Sequence, residues 1–239
     1  KSSIKFGEAV DVVSALNIMD KKADGTFVLD DMLTRGAAAK IICNMMGGIS
    51  QTNTIGTQFS DVSSDNSYAP YIEYCAANGI ISGYGDGTFA PDRVVTVDEF
   101  LKMLLITLRY NSVEEEILGD NWDTQVEKLA ARIGLTKGND KFVGSDNLTC
   151  QEACLYILNT LKSDMVTYDG SAVAVTSAEN SNNIYDETDG EASAETPDTV
   201  QFAEKCFQNL TLTGDEVYTW TYTVDGNTQK IGTNVDEEK

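Results

Sequence analysis

The side chains that could do chemistry here are mostly carboxylates: 38 Asp and Glu against 17 Lys and Arg, with no histidine. Without imidazole the chain can build neither a Ser-His nor a Cys-His nucleophile pair, nor an imidazole metal site. Carboxylate catalysis would need two carboxyls set across a cleft, and no local pattern points to such a pair. Five cysteines, Cys43, Cys75, Cys150, Cys154 and Cys206, form no CxxC pattern and leave one unpaired in any disulfide scheme. They read as small buried hydrophobes rather than disulfide partners. Asp20, Asp24, Gly25 and Asp31 fall at positions 1, 5, 6 and 12 of an EF-hand-like loop. Lys22 at position 3, Val28 at position 9 and a terminal Asp argue against a specific calcium site. No metal and no cofactor are expected.

Any binding residues must be positioned by a repeat. Asp24-Gly25-Thr26-Phe27, Asp30 and Leu33-Thr34 recur as Asp86-Gly87-Thr88-Phe89, Asp92 and Val95-Thr96, a constant shift of 62. A third copy aligns Ala131-Arg132-Ile133-Gly134-Leu135-Thr136-Lys137-Gly138 with Ala76 to Gly83. It reaches Phe142 two residues early, so its turn is shortened. Within a unit, Tyr68, Tyr71, Ile72 and Cys75 recur at helical spacing around Pro70, and Gly79 follows as a left-handed helix terminator. Thr34, Thr96 and Thr149 each precede an amphipathic run (Ala37–Met46, Phe100–Leu108 and Ala153–Leu161) and are expected to cap it. Glu99 and Glu152 stand at the capping-box position. One helix–loop–helix unit cannot bury its apolar face alone, whereas three can bury theirs together. The expected fold is mainly α: three units (about 1–52, 53–115 and 116–165) in a pseudo-threefold arrangement.

Residues 166–198 read as an acidic linker, Ser-, Glu- and Asp-rich from Thr176 to Asp198. Residues 199–239 read as a short helix (Val200 to Phe207) plus a β-hairpin, docked or truncated. Its strands would be Val217–Val224 and Gln229–Val235 around Asp225-Gly226. The formal net charge of -21 argues against nucleic acid and anionic membranes as partners. No apolar run approaches the ~20 residues of a membrane span. Beginning at Lys1, the chain reads as a mature or trimmed form.

Certain segments are similar to the S-layer homology domains of bacterial cell-surface proteins. They are Phe59-Ser60-Asp61-Val62, Tyr68-Ala69, Ile72-Glu73-Tyr74, Asn78 through Asp92, and Leu33-Thr34-Arg35-Gly36-Ala37-Ala38-Ala39-Lys40. The resemblance covers roughly two-thirds of the chain. It implies a helical prism whose inter-repeat grooves bind secondary cell-wall polymers, often carrying a pyruvate ketal, and so a non-catalytic, extracellular wall anchor. Arg35 would then clamp the ketal carboxylate, beside Thr34, Asp61, Asp86, Gly87 and Thr88.

The family's arginine is replaced by Val97 in the second copy and by Cys150 in the third. One groove should therefore hold the full anion-binding set, unless Arg93, Arg109 or Arg132 substitutes. Alternatives stay open residue by residue: Arg35 pairing with Asp30 or Asp31, Asp61 capping the Tyr68 helix, and Asp86-Gly87-Thr88 as a turn only. Tyr68, Tyr71 and Tyr74 could stack on sugars but fit the core better. Two rival functions remain. One is a protein-docking or self-association platform with other S-layer proteins as partners; the other is a carboxylate-dependent glycan hydrolase. The Trp220-Thr221-Tyr222 run is also similar to segments that follow such repeats in some clostridial surface proteins.

Overall fold

The computed structural model describes residues 5–22, 28–47, 58–168, 174–175, 202–207, 211–213, 219–224 and 227–231. The Asp24-Gly25-Thr26-Phe27 turn, the acidic stretch 176–198 and Asp225-Gly226 lie outside these described residues. Among the described residues up to 168, six helices run in chain order as α1 (Gly7–Ala15), α2 (Arg35–Met45), α3 (Ala69–Ala77), α4 (Val97–Thr107), α5 (Trp122–Arg132) and α6 (Cys150–Leu161). The described chain is mainly helical.

The threonines do the local work expected of them. Thr34 accepts the Ala37 N–H, and Thr96 and Thr149 form complete capping boxes with Glu99 and Glu152. Each helix begins two to three residues before its apolar run, because the residues straight after the threonine already take helical backbone. Pro70 sits in the first turn of α3, where its missing N–H costs nothing. Gly79 ends that helix with φ +69°, the left-handed conformation a glycine adopts without strain.

The first turn of a helix leaves N–H groups without internal partners, and the three capped helices satisfy theirs on another unit. Arg35 and Gly36 donate to the carbonyls of Arg93 and Pro91. Val97 and Asp98 donate to Asp146 and Gly144, while Cys150 and Gln151 donate to Asp31 and Leu29. The residues just before the threonines close a cycle: Leu33 N–H to Leu148, Leu148 to Val95, and Val95 to Leu33, at 2.9–3.0 Å. Isolated bridges flank it, pairing Thr34 with Val94, Thr96 with Asn147, and Met32 with Thr149.

Side chains from all six helices fill one core around that cycle. Phe89, Phe100, Leu101, Leu104, Leu105 and Tyr156 are fully enclosed, and each such residue contributes about 1.5–3 kcal/mol on burial. Helices α2 and α3 pack together, as do α4 with α5 and α1 with α6. Cys43, Cys75 and Cys154 are buried, as the sequence predicts, whereas Cys150 and Cys206 are half-buried.

Beyond α6 come β1 (Thr167–Tyr168) paired with β2 (Ala174–Val175), then the short α7 (Phe202–Cys206). Helix α7 buries Phe202 and Ala203 and anchors its first N–H on the Ser163 carbonyl. Strands β3 (Thr211–Thr213), β4 (Thr219–Val224) and β5 (Asn227–Ile231) form an antiparallel sheet in that order. Trp220 lies opposite Leu212 on one side and Ile231 on the other.

Candidate binding groove

A groove of about 890 Å³ opens between the α2 N-terminus, the Ser82–Gly87 turn, one face of α4 and the start of α5. Arg35, Ser82, Tyr84, Glu99, Lys102 and Trp122 give it its chemistry. Gly83 makes the turn possible, since a Cβ there would overlap the Thr88 carbonyl and the Phe59 ring.

Arg35 is held rather than free. It is 5% exposed, and its Nε donates to the Phe89 carbonyl while Nη2 donates to Ser82, both at 3.0 Å. Its guanidinium lies 4.5 Å from the Phe89 ring centroid and 4.9 Å from that of Tyr84. Burial pulls its pKa below the ordinary value, against the raising influence of Tyr84 and Glu99. An arginine stays charged at neutral pH even so. Neither Asp30 nor Asp31 is its ion-pair partner: Glu99 is, at 3.7 Å.

Glu99 has two duties. One carboxylate oxygen accepts the Thr96 N–H of the capping box, and the other pairs with both Arg93 and Arg35. A single acid thereby fixes two arginines at the edge of the groove, with Arg93 also 5.4 Å from the Tyr84 ring. Lys102, one helical turn further along α4, makes no ion pair among the described residues. Its Nζ lies 4.9 Å from the Trp122 ring, and burial lowers its pKa, so its charge is poorly compensated. Cations interleaved with half-exposed aromatic faces can receive an anionic, ring-shaped ligand.

The other residues singled out from the sequence are placed differently. Asp61 does not cap the Tyr68 helix; its two oxygens accept the Phe89 and Ala90 N–H groups at 2.8 and 2.6 Å. It staples the chain leaving the turn, close enough to raise the Arg35 pKa slightly. Asp86 accepts the hydroxyl and the N–H of Thr88, bonds that hold its carboxyl below the usual range. Gly87 lines the groove, whereas Asp86 and Thr88 are not in its wall. Thr34 spends its hydroxyl on its cap and lines a second, smaller groove. Tyr68, Tyr71 and Tyr74 pack half-buried against the core.

The sequence does not single out Lys102, Trp122 or the second duty of Glu99, and it marks Tyr84 only as part of the Asn78–Asp92 run. A signal for Lys102 was present, because the 62-residue shift maps it onto another lysine, Lys40. Trp122 carried no comparable mark, as the repeat is weakest there.

Residues 58–101 match the S-layer homology domain family. The chain is 28% identical over 151 residues to an uncharacterized cell wall amidase of Bacillus anthracis, covering 59% of this chain and 28% of that protein. It is 33% identical over 86 residues to cell surface glycoprotein 1 of Acetivibrio thermocellus, covering 34% of this chain and 4% of the glycoprotein. A cellulosome-anchoring protein of the same organism is 29% identical over 114 residues, 46% of this chain and 25% of that protein. The chain therefore spans between 4% and 28% of the length of these relatives.

Proposed function

We propose that this chain, an S-layer homology protein of the Gram-positive cell surface, anchors its parent protein by holding an acidic wall polysaccharide in the 890 Å³ groove. The observation that carries the reading is the convergence there of Arg35, Lys102, Tyr84 and Trp122, with Arg93 at the edge. In this reading Arg35, held within the wall, sets the local potential. Lys102 and Arg93 meet the carboxylate of the sugar, a pyruvate ketal being the fitting group. Trp122 and Tyr84 cover the ring faces, and Gly87 lets the turn backbone come close. Asp61, Asp86, Thr88 and Thr34 keep the turn and the helix start in shape.

The three units are read as a pseudo-threefold prism (1–52, 53–115 and 116–165), followed by a linker and a small C-terminal α+β part. The cyclic bonds among Leu33, Val95 and Leu148 support that arrangement. A role without catalysis is favoured by the groove itself, where Glu99 is the one carboxylate among the described lining residues. A hydrolase would need a facing pair about 5–9 Å apart. The docking-platform reading is the rival, kept by Val97 and Cys150 where arginine would stand.

The deciding experiment is co-sedimentation with Gram-positive cell walls before and after the secondary polymer is stripped. Sedimentation that disappears on stripping, and weakens in Lys102→Ala, is the expected result. Equal sedimentation with both wall preparations would transfer the reading to protein docking.

A further inference from the structure

Two buried thiols that the groove does not use meet where two units join. Cys43 on α2 and Cys75 on α3 place their sulfurs 3.6 Å apart, with 1% and 0% exposure. Their hydrogen bonds are reciprocal. The Cys75 thiol reaches the Ala39 carbonyl at 3.5 Å, four residues before Cys43; the Cys43 thiol reaches the Tyr71 carbonyl at 3.7 Å, four residues before Cys75. Such an exchange requires the two helices to make a close approach at this pair. The small side chains of Ala38 and Ala39 on α2 lie buried in the same region. A bond between these sulfurs needs closure from 3.6 Å to about 2.05 Å.

We propose that Cys43 and Cys75 are a latent inter-unit cross-link, oxidised to a cystine when the chain folds in the presence of a low-molecular-weight disulfide. The Cys43 thiolate attacks the external disulfide and expels one small thiol. The Cys75 sulfur then displaces the second small thiol from the mixed disulfide. Two protein thiols are oxidised, and the external disulfide is reduced to two thiols. The exchange takes place during folding, while both sulfurs are reachable. Packing afterwards closes the site around the two sulfur-bearing residues, which are 1% and 0% exposed. The finished bond is therefore protected from thiolate attack. It would close a loop of 32 residues between the first and second units and restrict the unfolded chain.

The test is to refold the full reduced chain with oxidised glutathione and digest it at acidic residues, which cuts at Glu73 between the two cysteines. A linked peptide joining Cys43 to Cys75, an intact mass lower by two hydrogens, and a denaturation midpoint several degrees above the reduced form are expected. A chain with Cys150, Cys154 and Cys206 changed to alanine should behave identically. Cys43→Ala should lose both the linked peptide and the redox-dependent shift in midpoint. Free thiols at 43 and 75 after oxidative refolding would overturn the inference. So would pairing of either with another cysteine, or a linked form no more stable than the reduced one.

Discussion

Subtracting 62 from residues of the large groove leads to the wall of a second one, of about 230 Å³. Ile80, Ile81, Ser82, Lys102 and Met103 become Ile18, Met19, Asp20, Lys40 and Ile41. Cys150 occupies the place of Arg35, each being the residue after a capping threonine. Tyr68, just ahead of α3, fills the corner that Trp122 fills at the start of α5. The charges differ. Glu99 maps to Ala37 and Arg93 to Asp31, while Lys40 is taken by Asp20 at 2.7 Å. Among the described residues the second groove therefore has no uncompensated cation, and the large one has Lys102 and Arg35 in its wall with Arg93 at its edge. Repetition has kept what the backbone supplies and let go what only particular side chains supply. The cyclic N–H bonds of Leu33, Val95 and Leu148 need no special residue type; an anion site does.

The largest expected effect breaks the favoured side of that comparison. Arg93→Ala with Lys102→Ala removes two cationic donors, each worth about 1.5–3 kcal/mol to a charged ligand. Binding to isolated wall polymer should weaken about 100-fold or more, with the folded state retained by circular dichroism. Arg35→Ala is a poorer probe, because it orphans the Phe89 and Ser82 carbonyls inside the molecule. Sharpening comes from the opposite change. Cys150→Arg with Asp31→Arg should give the second groove an anion site and add a second, weaker binding event in a polymer titration.

The third prediction concerns the junction of the second and third units. Asp98 is 5% exposed and its Oδ1 has no partner. It faces Glu127 and Asp123 on α5, Glu99 on its own helix and Tyr156 on α6. A Cβ on Gly144 would overlap both Asp98 Oδ1 and Glu127 Oε1, so the two carboxyls converge on one glycine. Burial first, then Glu127, pushes Asp98 up to about 7. Between pH ~4 and ~7 the folded chain holds a proton that the unfolded chain has released. Stability should therefore fall as pH rises through this window and level off above it. Asp98→Asn should flatten that slope and gain about 2 kcal/mol at pH 8, read by urea denaturation. The smallest effect belongs to the second groove: Lys40→Ala should change polymer binding by less than about twofold, since Asp20 already holds that charge.

Much of the scaffold was legible from sequence because it rests on local rules. The threonine caps, the two capping boxes, Pro70 and Gly79 follow from backbone needs that a few residues determine. The groove was less legible. Arg35 was singled out, but its burial and its bonds to Phe89 and Ser82 join residues about fifty positions apart. Glu99 showed its capping duty, which is local, and concealed its ion pairs, which are not. Asp61 reads from sequence as a groove residue beside Arg35 or a cap for the nearest helix, and its carboxylate is bonded to N–H groups 28 and 29 residues away. Lys102 could have been found from the repeat, whereas Trp122 enters through the packing of α5 on α4.

The central claim is that one groove carries the polymer. Calorimetric titration of the full chain with a short fragment of the wall polysaccharide tests it most directly. One site per chain, lost in Lys102→Ala and kept in Lys40→Ala, is the predicted result. Two or three equivalent sites, or a single site indifferent to Lys102, would contradict it.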